Sequence, residues 1–134
     1  MKKRTFFNCS KIMIIVIFSI LICLLIYQFI ENMPVYEYPP GRDTKDIFGN
    51  GKYQIIRGPA GSRYSLSCYD SLEYIDRNVY KYREIKPYVY TIGSEGYTVL
   101  NYETDEIVQE KELKNLPYEY QNIFEQTKKF NSLG

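Results

Sequence analysis

Histidine is absent from all 134 residues. That removes the usual base for a serine or cysteine nucleophile and the commonest side-chain ligand for zinc and copper. Tryptophan is absent too, and cysteine occurs only at Cys9, Cys23 and Cys68. These three fall in a basic stretch, an apolar run and a polar region, so a disulfide scaffold is excluded. Cys68 reads as a small buried apolar residue. Charge is missing between residues 12 and 30 (IMIIVIFSILICLLIYQFI). At about 1.5 Å per residue this run reaches roughly 28 Å as a helix, close to the hydrocarbon thickness of a bilayer.

The flanks of that run set an orientation. Lys2, Lys3, Arg4 and Lys11 precede it, and no acid occurs before Glu31. By the positive-inside rule, residues 1–11 are a basic cytoplasmic N-terminus and residues 12–30 a transmembrane signal-anchor, with the rest outside the cytoplasm. Tyr27 and Phe29, then Tyr36 and Tyr38, suit an interfacial aromatic belt. A cleaved signal peptide would have a shorter apolar stretch and small residues at the cut, whereas IENMP follows here. A lipoprotein cysteine would follow a small residue, but Ile22 precedes Cys23. Ser19 and Cys23 are small residues four apart, a weak basis for helix pairing.

Beyond the run, 13 basic residues stand against 16 acidic ones, a net charge of −3. A mildly acidic domain lacks the basic stripe that displaces phosphate counterions, so nucleic acid is set aside as a partner.

Residues 31–50 contain Pro34, Pro39, Pro40, Gly41 and Gly49, and read as a Pro/Gly-rich stalk. Residues 51–134 read as one extracytoplasmic α+β domain. Residues 52–57 are strand-like, and residues 58–61 (GPAG) form a turn. Residues 63–69 alternate, with Tyr64, Leu66 and Cys68 on one face. Asp70 followed by Glu73 has the form of a capping box, so a brief helix is expected there. Residues 79–85 alternate as a strand and end before Pro87. Residues 88–93 and 97–102 flank GSEG and form a hairpin, with 107–109 as the third strand of a meander. Apolar residues on both faces of the hairpin place it centrally in its sheet. Leu116, Tyr120, Ile123, Phe124 and Thr127 then follow the spacing of an amphipathic helix that covers one sheet face. The fold class is therefore α+β: one N-terminal transmembrane helix, then a small, mainly antiparallel sheet with a C-terminal amphipathic helix. No internal repeat is clear enough to name.

Catalytic constellations are few. Asp70, Glu73 and Asp76 lie three apart and would share one face of a helix, as an acid–base pair requires, although capping and solvation account for them more simply. Asn101, Glu103, Asp105 and Glu106 offer oxygen ligands at a spacing that matches no calcium loop. Residues 49–52 (GNGK) lack the spacing and hydroxyl residue of a phosphate loop. The chain is read as a non-enzyme with no cofactor or metal.

Tyrosine is abundant, with 15 copies. Strands recruit it for packing, and interfaces recruit it for contact area at low entropic cost. The expected function is a membrane-anchored domain that binds another envelope or secreted protein, in a sharper form an immunity protein that intercepts a toxin. Tyr88, Tyr90, Tyr97 and Tyr102 are its expected partner-binding anchors. The alternative is a small accessory subunit that acts through its membrane helix.

Overall fold

The computed structural model describes residues 2–33, 35–59 and 63–134, of residues 2–10 the backbone alone. The chain forms two compact units that divide after Val35.

The first unit is helix α1 (Lys2–Glu31). Its 21 residues Lys11–Glu31 are long and apolar enough to cross a membrane, and none of that stretch is buried. At about 1.5 Å per residue they reach roughly 31 Å.

The second unit contains two antiparallel sheets, where one was expected. The first sheet is built from β1 (Thr44–Phe48), β2 (Tyr53–Arg57), β3 (Tyr64–Cys68) and β4 (Glu73–Val79), in that order. The second holds β5 (Lys81–Ile85), β6 (Tyr88–Gly93), β7 (Gly96–Asn101) and β8 (Glu106–Glu110), with the short β9 (Asn131–Ser132) beside β5. Between β8 and β9 lie helix α2 (Tyr118–Glu125) and two 3-10 turns, Leu113–Asn115 and Thr127–Lys129. The hairpin and its third strand stand where the two runs flanking GSEG place them. The amphipathic helix is present but shorter, because Gln126 leaves helical geometry and a 3-10 turn follows.

Two expectations are corrected. Residues 31–50 are not all stalk, since Thr44–Phe48 forms the edge strand β1. Just before it, the Tyr38 amide donates to the Asn50 carbonyl at 3.2 Å. Gly51, with φ of +95°, lies against the Tyr38 carbonyl where a side chain would collide. Pro34 lies outside the described residues, as do residues 60–62, which include the second half of the expected GPAG turn. The brief helix at Asp70 is replaced by a hairpin turn and strand β4. Leu72 sits in the left-handed region at φ 57°, which no helical turn admits, and Asn78 does so at 53°.

The register shows that the two sheets repeat one meander. Tyr53 faces Cys68 in the first, and Tyr88 faces Asn101 in the second. Arg57 opposite Tyr64 matches Ile92 opposite Tyr97. Cys68 opposite Glu73 matches Asn101 opposite Glu106. The turns at 69–72 and 102–105 have equal length, and each ends in a left-handed residue, Leu72 or Asp105. Tyr53, Tyr64, Tyr69 and Glu73 thus recur as Tyr88, Tyr97, Tyr102 and Glu106. A bulge in β4 breaks the likeness, because Ser67 pairs with Tyr74 but Leu66 with Asp76. The extra residue turns Asp76 inward.

Equivalent faces are covered in succession. Tyr53, Ile55 and Leu66 on the front of the first sheet pack on Tyr82, Val89 and Leu100 from the back of the second. Tyr90 and Val99 on the front of the second pack under Leu116, Phe124 and Phe130. The back of the first sheet, where Gln54 and Ser67 replace Val89 and Leu100, carries neither sheet nor helix among the described residues; the chain at Tyr38 lies on it instead, its carbonyl accepting from Gln54 Nε2 at 3.3 Å.

Candidate functional site

The expected anchors separate into a cluster and an outlier. Tyr88 and Tyr90 on β6 meet Tyr120 on α2, both with ring centroids 6.1 Å away. Phe124 lies 5.6 Å from Tyr90 and 5.1 Å from Tyr97. Tyr90 is only 4% exposed, so it is core and not a surface anchor. Burial pushes its hydroxyl up to about 12. Tyr88, Tyr97 and Tyr120 are half-buried at the border of this cluster, and Tyr118 at the start of α2 stands 77% exposed. Tyr102 belongs elsewhere: its ring covers Gly49, and its hydroxyl donates to Glu84 Oε1 at 3.0 Å.

The three spaced carboxylates do not come together. Asp70 lies in the turn before β4 and is exposed, Glu73 is exposed at the start of that strand, and Asp76 beyond the bulge is fully buried. The oxygen ligands at 101–106 are engaged locally. Asp105 accepts from Lys52 Nζ at 2.7 Å and from the Tyr53 hydroxyl at 2.8 Å. The hydrogen bond from Lys52, then that from Tyr53, holds its carboxyl below the usual range. Asn101 Oδ1 accepts from the Glu103 and Thr104 amides. Among the described residues no group of three or more His, Cys, Asp or Glu is placed to hold a metal.

A site that sequence reasoning missed lies on the back of the first sheet, a cavity of about 370 Å³. Its floor is polar and internally satisfied. Gln54 Nε2 donates to the Gly51 carbonyl at 2.8 Å, and the Thr44 hydroxyl donates to Gln54 Oε1 at 2.9 Å. The Ser67 hydroxyl donates to the Gln54 carbonyl at 3.4 Å. The rim carries Arg42, Tyr69, Leu72 and Tyr74. Tyr69 and Tyr74 are close to half exposed and Leu72 is 82% exposed. The repeat singles out Leu72, since its counterpart Asp105 is of a type that tolerates left-handed backbone and leucine is not. Leu72→Asp is therefore expected to raise the unfolding free energy by about 1 kcal/mol in thermal melts. A loss of stability would show that the leucine side chain is held by packing.

No family model matches the chain, and no curated protein and no solved structure does either.

Proposed function

We propose that the chain is a single-pass membrane protein, its N-terminus cytoplasmic, whose outer domain binds another envelope or secreted protein and is not an enzyme. The observation that carries this reading is the pairing of a fully exposed apolar helix of spanning length with a separately packed domain. Four basic residues before the apolar stretch, with no acid among them, support the orientation. The exposed border of the tyrosine cluster supports the binding role: Tyr118 and Tyr88 offer rings at the surface, and buried Tyr90 and Phe124 fix the elements that bear them. An immunity protein that captures a toxin is the sharper form of this reading.

Capture from surface-crosslinked cells, with the full chain as bait, tests it. One dominant envelope or secreted partner is expected, and Tyr88→Ala with Tyr118→Ala together should weaken its capture by about tenfold or more. Undiminished capture by a folded double variant would remove the tyrosine surface, and no partner at all would remove the binding role. Because residues 12–30 of α1 carry no charge on any side, an accessory subunit acting through that helix is the second reading. Replacement of residues 12–30 by an unrelated spanning helix without loss of phenotype would exclude it.

A further inference from the structure

The back face of the first sheet carries an exposed apolar tip that the fold does not require. Leu72 projects from the turn between β3 and β4 in a backbone conformation that disfavours it, with Tyr69 before it and Tyr74 after it. The Tyr69 ring lies 5.5 Å from that of Tyr38. In the chain, residues 32–37 alone separate Tyr38 from the end of α1. The patch therefore adjoins the point where the chain enters the domain from its apolar helix.

We propose that this tip docks on the outer surface of the bilayer that α1 crosses, with Leu72 among the upper acyl chains and Tyr69 and Tyr74 at headgroup level. The inference rests on the membrane reading above. An aliphatic tip between amphipathic rings matches the gradient from hydrocarbon to headgroup, where tyrosine is favoured. The surrounding charge is balanced. Arg42 is exposed at the cavity rim and Arg77 lies 5.5 Å from the Tyr74 ring, while Asp70 and Glu73 flank the turn. Paired signs suit a zwitterionic phosphocholine headgroup, which carries both, and the two acids confine insertion to the leucine side chain. No strongly anionic lipid is needed.

The absence of tryptophan makes the test direct. The full chain is reconstituted in phosphatidylcholine vesicles with a single tryptophan at Leu72→Trp, at Tyr74→Trp, which keeps a ring on a strand, or at Tyr118→Trp. Lipids brominated high on the acyl chain should quench most of the emission at 72, less at 74 and none at 118. Equal quenching at all three positions, or none at 72 and 74, would overturn the proposal. If neither is quenched but both become shielded when a soluble protein is added, the patch is a protein-docking surface and the proposal also fails. Alkaline extraction of the same vesicles separates the two levels of the argument. A chain that stays in the lipid without quenching keeps the anchor and loses the docking, and a chain that is extracted loses both.

Discussion

Truncating Phe124 to alanine is expected to lower the unfolding free energy of the outer domain by about 3–5 kcal/mol, the usual cost of removing a large buried ring. Phe124 is 1% exposed and meets Tyr90, Tyr97 and Phe130, the last in a stacked pair with centroids 5.7 Å apart. Helix α2 has only eight residues and no side-chain hydrogen bond at its N-cap, so it does not persist without tertiary packing. Loss of this ring should release α2 together with β9 and expose Tyr90 and Val99. Chemical denaturation of the full chain in detergent gives the magnitude, and amide exchange should show residues 118–132 opening first. A cost below about 1 kcal/mol would mean that the C-terminal segment is not a layer of the core.

The second large effect concerns Asp76, which should make the domain lose stability as pH rises above the ordinary carboxylate range. The carboxyl is fully buried between the sheets, with the Thr91 hydroxyl donating to Oδ2 at 2.6 Å. Its Oδ1 meets no donor at bonding geometry among the described residues. Gly93 abuts it so closely that an added methyl would also come within 2.8 Å of the Arg77 carbonyl oxygen. Burial raises the Asp76 pKa, outweighing the Thr91 donor and the weaker pull of the Glu95 amide and the Thr98 hydroxyl. The folded state then holds the proton more tightly than the unfolded chain. The stabilisation is complete below the unfolded carboxyl pKa and is lost as pH rises through the folded one. Asp105, whose carboxyl is lowered, acts with the opposite sign, since its contribution is present at neutral pH and fades in acid. The measurement is therefore a difference: stability against pH for the native chain minus that for Asp76→Asn. That curve should fall as pH rises above the ordinary carboxylate range, because a buried carboxylate with an unpartnered oxygen is costly once charged. A flat difference would show that Asp76 titrates as an ordinary carboxyl.

Much of the second sheet was legible because its strands are regular. Residues 88–93 and 97–102 are rich in β-forming residues on both faces, a glycine-flanked turn joins them, and β6, β7 and β8 pair in unbroken register. The first sheet was harder for identifiable reasons. In β4 the bulge after Tyr74 and the left-handed Asn78 erase the period-2 pattern. Asp70 and Glu73 fit a capping box as well as they fit a hairpin turn. The sister turn at 102–105 settles the choice, but its kinship shows only in the pairing register. In β1 the register shifts between Thr44 and Asp46, and the strand follows a proline–glycine stretch, so it carries little signal of its own. Of the expected anchors, the sequence located a tyrosine cluster but not its depth. That depth depends on α2 covering Tyr90, a contact between residues some thirty apart in the chain. The cavity on the first sheet escaped notice because its floor, Thr44, Gln54 and Ser67, comes from three separate strands of ordinary polar composition.

The order of strand pairing has a consequence for how the domain is made. Within each sheet every strand hydrogen-bonds to its chain neighbour, so loop closure is brief and each meander can zip up as a nascent chain emerges. The exception is β9, where Ser132 and Asn131 reach back to Lys81 and Tyr82. The Leu133 amide adds a bond to the Tyr80 carbonyl at 2.9 Å. Synthesis thus delivers the segment that supplies Phe124, Phe130 and this stitch only after both meanders. Until it arrives, both meanders can be paired while the aromatic front of the second remains open, and a holding chaperone would find its target there.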